Sequence, residues 1–185
     1  MIIGKRIRLR AIEREDLPRF VAWLNDPEVR HNMLLYQPLS LAQEEVWFKG
    51  ILERHPDEQP LVIEISADGV WQAVGNVSFF NLNTHDSSAE IGIFIGEKKY
   101  WDQGYGTESM RLMLKHGFED LNLNRIYLRV FETNPRGMRA YDKAGFVHEG
   151  RMRQDRFLDG KYIDVHLMSV VRSEWQEEKN SGGKE

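Results

Sequence analysis

Apolar residues recur along this chain with two different periods, and each change of period marks the boundary of a predicted element. Apolar residues at alternate positions, or in short runs, predict β-strands. The predicted strands are residues 6–11, 61–65, 71–80, 89–95, 125–131 and 163–171, with a short one at Val147. Asp68-Gly69 and Asp159-Gly160 lie between such runs and are turn signals, so residues 61–80 are expected to form a hairpin.

Apolar spacings of three and four residues predict helices. The predicted helices are residues 17–24, 40–54, 107–121 and 134–144. Their ends carry recognisable signals. Ser40 and Gln43 match a capping box, Asn134-Pro135 is an N-cap followed by proline at the first helical position, and Gly145 is a natural C-terminal residue.

The order of these elements predicts an α/β fold of the mixed (α+β) kind. Residues 89–131 read strand, helix, strand, which requires a parallel pair, whereas the hairpin before them is antiparallel. Residues 29–38 fit a short helix and a loop, and residues 81–86 fit a polar loop. We therefore expect one mixed sheet covered by helices, in a single domain over residues 1–179, with residues 180–185 as a flexible C-terminal tail.

The composition excludes several kinds of function. The 185 residues include no cysteine, which excludes disulfides, thiol nucleophiles and cysteine metal sites, and the six histidines lie too far apart to predict a metal site. A net charge of −4 gives no reason to expect nucleic-acid binding. No apolar run approaches the roughly 20 residues that span a bilayer, and the first residues do not resemble a signal peptide. We expect a cytoplasmic protein that binds neither nucleic acid nor membrane.

A glycine-rich turn directly before the third predicted helix is a candidate phosphate site. Gly104 and Gly106 let a ligand approach the backbone, whose N–H groups face an anion together with the positive end of the helix, and Thr107 is a candidate N-cap. An ordinary strand-to-helix turn is the alternative. A Walker loop is absent, and a dinucleotide fingerprint fails at Ser109, which is neither glycine nor alanine, although Glu132 ends the next strand as that fingerprint requires.

A second motif follows the next strand, and together with the glycine turn it indicates a family. Asn134, Tyr141 and Gly145-Phe146 have the spacing Asn-x₆-Tyr-x₃-Gly-Phe. With the glycine turn before it, this motif resembles the GCN5-related N-acetyltransferase (GNAT) superfamily. The branch that it resembles most holds ribosomal-protein N-terminal acetyltransferases of the RimJ/RimL kind and spermidine/polyamine acetyltransferases. The resemblance covers nearly the whole chain and implies a mostly antiparallel sheet, with a parallel strand pair splayed around the cofactor and helices on both faces.

One position departs from the family pattern. The family turn often begins with arginine or glutamine, three residues before the first glycine, and Trp101 stands there in this chain. Because pyrophosphate is held mostly by backbone N–H groups, we expect binding to persist, with the Trp101 side chain packing instead.

The resemblance implies acetyl-CoA as the cosubstrate and no metal. The implied cofactor-binding residues are Ile93, Phe94 and Ile95 for the pantetheine arm, Asp102, Gln103, Gly104, Tyr105, Gly106 and Thr107 for the pyrophosphate, and Asn134 for the other side of the arm. Arg136 and Lys143 are candidates for the adenosine phosphates.

The resemblance also implies Tyr141, Glu90 and Asn134 as catalytic residues. Tyr141 holds the position of the acid that protonates the leaving thiolate, although Met138 and Tyr141 share a helix face, as core residues would. Glu90 begins the cofactor strand and is a candidate base, directly or through water, because only a neutral amine attacks. A cross-strand ion pair or a solvated edge is the alternative for Glu90. The N–H of Phe94 or Ile95 is expected to face the thioester oxygen.

The acceptor site is expected in the segments that are least similar to the family. These are residues 29–38, with Tyr36, and residues 79–85, with Phe79, and Glu90 is included as a candidate. The resemblance implies that the acceptor is a primary amine, either of a small molecule such as a polyamine, an aminoglycoside, a dipeptide or an amino sugar, or of a protein N-terminus. It also implies a homodimer. The acidic residues weighed as attractors of a polyamine are Asp26, Glu28, Glu44 and Glu45. A non-catalytic acyl-CoA-binding module and a dinucleotide-dependent oxidoreductase are the alternative functions.

Overall fold

A computed structural model describes residues 1–33 and 35–176. The strands in these residues are β1 (Ile2–Ile3), β2 (Ile7–Ala11), β3 (Leu61–Ala67), β4 (Val70–Asn83), β5 (Ser88–Ile95), β6 (Arg125–Phe131), β7 (Val147–Leu158) and β8 (Lys161–Val171). The α-helices are α1 (Leu17–Leu24), α2 (Pro27–Arg30), α3 (Leu41–Leu52), α4 (Tyr105–Lys115) and α5 (Pro135–Ala144). The predicted tail, residues 180–185, lies outside the described residues.

The strands belong to one sheet in the order β1-β2-β3-β4-β5-β6-β8-β7. Antiparallel ladders join β1 to β2, β2 to β3, β3 to β4, β6 to β8 and β7 to β8. Strands β5 and β6 pair in parallel, with Ser88 opposite Arg125 and Glu90 opposite Tyr127. The prediction of a mixed, mostly antiparallel sheet with one parallel pair is therefore confirmed.

The chain divides into two compact units, and each is built from two segments. The first unit comprises Met1–Phe79 and Gly92–Leu112, and its buried side chains include Phe20, Ile51 and Ile63. The second comprises Phe80–Ile91 and the chain from Met113 onward, with buried side chains from the end of α4, from β6 and from β8. The single domain over residues 1–179 stays a prediction.

The helix ends follow the capping signals in the sequence. Ser40 and Gln43 form the predicted capping box at the start of α3. The Asn134 side chain accepts a hydrogen bond from the Gly137 N–H, with Pro135 at the first position of α5, and Gly145 ends that helix with φ of +101°. These contacts depend on residues three apart or adjacent in the chain, which is why the sequence predicts them well.

Three local predictions were wrong. Helix α4 begins at Tyr105, so Thr107 lies inside its first turn and is not the N-cap. Strand β4 extends to Asn83, into the predicted polar loop. Strand β7 is long, not the short strand predicted at Val147. Because β7 is an edge strand whose side chains are mostly exposed, it lacks the apolar alternation that marks a half-buried strand.

Candidate active site

The glycine turn in the first unit presents an open backbone surface before α4. Asp102 and Gly104 both have positive φ, +58° and +83°. The Glu108 N–H donates to the Gly104 carbonyl oxygen at 3.0 Å, so the N–H groups of Tyr105 and Gly106 lie in the turn before this donor, among the first N–H groups of the helix, which have no acceptor four residues back within it. A Cβ atom built on Gly106 would meet no heavy atom within 4 Å among the described residues. This surface fits an anion bound by backbone N–H groups.

The end of β5, just before the turn, is held by specific contacts. Trp101 donates its indole N–H to the Ile95 carbonyl oxygen at 2.7 Å, which gives a structural reason for tryptophan at the position that departs from the family pattern. The Gly96 N–H donates to the Val74 carbonyl oxygen at 2.8 Å. The Phe94 ring makes an edge contact with Trp23, with centroids 6.3 Å apart. The predicted pantetheine strand is therefore fixed from several sides.

Two glycines that the sequence analysis missed allow this close packing. A Cβ atom on Gly75 would lie 2.0 Å from the Phe94 carbonyl oxygen, and one on Gly96 would lie 2.2 Å from the Trp23 ring. Neither glycine lies in a turn signal, and only the folded chain brings Trp23 and Phe94 against them. The sequence therefore carries no local sign of their importance.

Asn134 has a structural contact at its predicted place in the second unit. Its Oδ1 accepts the Gly137 N–H at 2.9 Å, and a Cβ atom on Gly137 would come within 2.6 Å of its amide nitrogen. The N-cap fixes the orientation of this side chain at the start of α5. Its predicted contact with the pantetheine arm stays a prediction.

Tyr141 is a half-buried phenol on α5. Its ring packs against Phe146, with centroids 6.0 Å apart. Burial raises the pKa of Tyr141 to about 12, because the charged phenolate is poorly solvated there. The hydroxyl is therefore protonated at neutral pH and is suited to donate a hydrogen bond.

Glu90 lies in an ion pair with an arginine on the neighbouring strand. Arg129 donates from Nε to Oε1 at 2.7 Å and from Nη2 to Oε2 at 3.0 Å. Asn81 donates its amide to Oε2 at 3.0 Å. The carboxylate raises the pKa of the Arg129 guanidinium through these hydrogen bonds. Glu90 is 4% exposed, and its two carboxylate oxygens already accept these three hydrogen bonds. Its role as a base stays a prediction.

The candidate acceptor residues differ sharply in exposure. Tyr36 is 66% exposed, whereas Phe79 is a core side chain with 1% exposure, which disfavours its predicted place at the acceptor. Asp26 and Glu28 both pair with Lys98 Nζ at 2.7 Å.

Glu44 is the acidic residue with the most unusual environment. It is 4% exposed, and it has no hydrogen bond or ion pair through its side chain to the described residues. Burial raises the pKa of Glu44 to about 7. The sequence did carry a signal for this, since Glu44, Phe48 and Ile51 share one face of α3 at i, i+4 and i+7.

The two candidates for the adenosine phosphates lie near opposite ends of α5. Arg136 lies in the first turn of α5 and Lys143 in its last turn. The described residues contain no group of three or more histidine, aspartate or glutamate side chains positioned to hold a metal ion. Among the described helices, none has the length and apolar character needed to cross a membrane.

Comparison with known proteins gives one consistent answer. The family model for the acetyltransferase (GNAT) domain matches residues 6–147. The spermidine N(1)-acetyltransferase of Vibrio cholerae is 31% identical over 178 residues, which cover 94% of this chain and 97% of that protein. The proposed ribosomal N-acetyltransferase YdaF of Bacillus subtilis is 24% identical, covering 96% of this chain and 97% of its own length.

A solved structure agrees with the sequence relatives. It is the crystal structure of spermidine N-acetyltransferase from Vibrio cholerae in complex with CoA and spermine. Its TM-score against this chain is 0.84, with 27% sequence identity, over 94% of this chain and 99% of the other. The architecture predicted from the resemblance is therefore confirmed.

Proposed function

Because the chain belongs to the acetyltransferase (GNAT) family and is an N-acetyltransferase, we propose that its acceptor is a polyamine of the spermidine class. The names of relatives that match almost the whole chain support this class. The alternatives of a non-catalytic module and of an oxidoreductase are not retained, because the family and these relatives are acetyltransferases. The observation that carries the choice of a polyamine is the environment of Glu44.

Glu44 supports a cationic acceptor because its buried carboxyl lacks a partner among the described residues. An ammonium group placed against it would restore the solvation that burial removes. A protein N-terminus brings one amino group, and that group must react. A polyamine brings a second ammonium that stays charged, so a carboxylate dedicated to binding favours the polyamine.

The proposed reaction moves an acetyl group directly to the amine while both substrates are bound. Acetyl-CoA supplies the acetyl group as an activated thioester. Tyr141 donates its hydroxyl to the leaving sulfur. Because a thiol has a pKa of about 8.5, complete proton transfer from a phenol with a pKa of about 12 is uphill, so hydrogen-bond donation is the favoured contribution.

Glu90 is proposed to accept the amine proton, directly or through a water molecule. It would do so from within its pair with Arg129, whose two donors orient both carboxylate oxygens. If Glu90 is the base, Glu90→Gln lowers kcat and changes the shape of the pH–rate profile. If the profile of Glu90→Gln overlays that of the wild type, Glu90 is not the base, and its ion pair with Arg129 has a structural role only.

The proposed contacts of acetyl-CoA follow the family motifs. In the first unit, residues 102–107 contact the pyrophosphate and residues 93–95 contact the pantetheine arm. In the second unit, Asn134 contacts the arm, and Arg136 and Lys143 contact the adenosine phosphates. The open backbone of the glycine turn supports the first of these contacts.

A panel of amines with acetyl-CoA, followed by release of the CoA thiol, tests the acceptor. The panel contains spermidine, spermine, an aminoglycoside and peptides with free N-termini. We expect turnover with the polyamines, and a KM for spermidine that rises about tenfold or more in Glu44→Gln, as for loss of one charged hydrogen bond. Glu45→Gln changes the neighbouring residue and serves as the matched control. Turnover confined to peptides would overturn the polyamine assignment.

We also propose a homodimer in the cytoplasm. With no cysteine among its 185 residues, the chain needs no oxidising compartment in order to fold. The dimer rests on the family resemblance alone, and light scattering during size-exclusion chromatography tests it through the mass of the particle.

A further inference from the structure

An arginine near the start of the chain reaches the glycine turn. The Arg6 backbone N–H and its Nε both donate to the Glu108 carboxylate at 2.8 Å, so Glu108 fixes the orientation of the guanidinium. Nη1 donates to the Gln103 carbonyl oxygen at 3.1 Å. The guanidinium also lies over the Tyr105 ring, 4.6 Å from its centroid. Arg6 is thus tied to residues on both sides of Gly104.

The remaining nitrogen of this guanidinium is available at the turn. A Cβ atom built on Gly104 would lie 3.3 Å from Arg6 Nη2. Nη2 donates no hydrogen bond to any described residue, and the Arg6 side chain is 51% exposed. A planar guanidinium that is held by two fixed acceptors and has a free edge is well suited to bind a phosphate.

We propose that Arg6 is a cofactor-binding residue that donates through Nη2 to the pyrophosphate of acetyl-CoA on the glycine turn. This inference rests on the proposed acetyl-CoA site. The backbone N–H groups supply neutral donors, and Arg6 adds a full positive charge. Trp101 cannot supply that charge, because an indole is neutral, and its side-chain N–H is donated to the Ile95 carbonyl oxygen. Glu108 is the carboxylate in direct contact with the guanidinium, and both of its oxygens accept from Arg6.

A purely structural role for Arg6 predicts a different response to ligands that lack the pyrophosphate. In that case Arg6 only ties the N-terminal segment to α4, and its loss disturbs the turn for every ligand. A phosphate contact, in contrast, matters only for ligands that carry the pyrophosphate. Ligands with and without that group therefore separate the two roles.

The test compares Arg6→Gln with Arg8→Gln as a matched control. Arg8 lies two residues further along the chain, in β2, but its Nε pairs with Glu64 at 2.5 Å and its guanidinium lies over Trp71. Calorimetric titration with CoA is expected to show a loss of affinity of about 10- to 100-fold in Arg6→Gln, the size of one charged hydrogen bond. We expect no such loss in Arg8→Gln.

Two further ligands identify the group that Arg6 contacts. With 3′-dephospho-CoA the same loss is expected, because the pyrophosphate is retained. With S-acetylpantetheine, which lacks every phosphate, kcat/KM is expected to be equal in Arg6→Gln and wild type. If the effect disappears with 3′-dephospho-CoA, the partner is the 3′-phosphate and the proposal is overturned.

The other outcomes are equally informative. Unchanged CoA affinity in Arg6→Gln, or an equal loss with acetyl-CoA and S-acetylpantetheine, overturns the proposal. A wild-type protein that binds no CoA overturns the proposed function instead. If Arg6→Gln does not fold, Arg6→Lys replaces it, because lysine keeps the charge without the planar guanidinium. Its CoA affinity is expected to fall less than tenfold. If its kcat/KM with S-acetylpantetheine falls by as much as its CoA affinity, the proposal is again overturned.

Discussion

At the scale of single residues, Glu44 is energetically unfavourable as a carboxylate, because it is buried in the first unit without a side-chain partner among the described residues. Burial raises its pKa from 4.5 to about 7, so in the folded state it holds its proton over a range where the unfolded chain has lost it. Between those values the folded protein binds more protons, so this group's contribution to stability falls as the pH rises and is lost above pH 7. A difference of this size corresponds to about 3 kcal/mol at most.

Glu44→Gln is therefore expected to stabilise the protein in a pH-dependent way. The variant and the wild type should have equal free energies of unfolding below pH 4.5, and the variant should gain up to about 3 kcal/mol by pH 8. Urea unfolding across this range measures the difference. Glu45→Gln, the neighbouring control, should show no such trend, and a gain for Glu44→Gln that does not vary with pH would contradict the assignment. Higher stability with poorer use of spermidine would then mark Glu44 as a functional residue.

Tyr141 yields a second prediction at this scale. Tyr141→Phe keeps the packing against Phe146 and removes the hydroxyl, so kcat is expected to fall by about 10²- to 10⁴-fold with little change in CoA affinity. Because burial raises the pKa of Tyr141 to about 12, the wild-type rate should show no alkaline limb from this residue below about pH 11. Tyr162→Phe, at an exposed phenol on β8, is the control for loss of a hydroxyl. Undiminished turnover in Tyr141→Phe would remove the donor role.

At the scale of elements, Gly106 allows folding and ligand binding to be separated. It lies in the first turn of α4, and a Cβ atom there meets nothing within 4 Å among the described residues. Gly106→Ala should therefore leave stability unchanged or raise it by up to about 1 kcal/mol, since alanine is the better helix former. If the turn holds pyrophosphate, the added methyl group stands where the ligand approaches, and CoA affinity should fall.

Gly50→Ala provides the matched control for this prediction. Gly50 lies on α3, and it too has no heavy atom within 4 Å of a built Cβ. Gly50→Ala should show the same gain in stability, measured by the thermal midpoint of unfolding, and its affinity for CoA should not change. Gly106→Ala with unchanged CoA affinity would argue that the ligand does not approach this backbone.

The elements also show where prediction from sequence succeeds. Caps and turns were predicted because their contacts are local, as with Asn134 and Gly137. Strand β7 was largely missed, since an edge strand with exposed side chains has no apolar period. The start of α4 was placed two residues late, because a helix can begin at Tyr105 without a side-chain cap signal in the sequence.

At the scale of the whole molecule, the parallel pair and the family followed from the sequence, but long-range partners did not. Nothing in the sequence connects Arg6 with Glu108, which lie 102 positions apart, or selects Arg129 as the partner of Glu90. These contacts depend on which strands become neighbours and on their register. The sequence therefore supplied candidates for the reacting groups, while the residues that contact and orient these candidates became visible only in the fold.

The predicted single domain can be tested through its two compact units. Strands β4 and β5 each contribute residues to both units, so unfolding one unit alone would break both strands within their length. We therefore expect one cooperative transition. Trp23, Trp47, Trp71 and Trp101 lie in the first unit and Trp175 in the second, so Trp175→Phe confines the indole fluorescence to the first unit.

In that variant, urea unfolding followed by fluorescence should coincide with unfolding followed by far-ultraviolet circular dichroism, which monitors the whole chain. Saturating CoA, at about 100 times its dissociation constant, should shift both curves together by about 2.7 kcal/mol. Curves that separate, or a ligand shift seen by only one probe, would mean that the units unfold independently. The chain would then be better described as two domains, and the strands that they share would have to break before global unfolding.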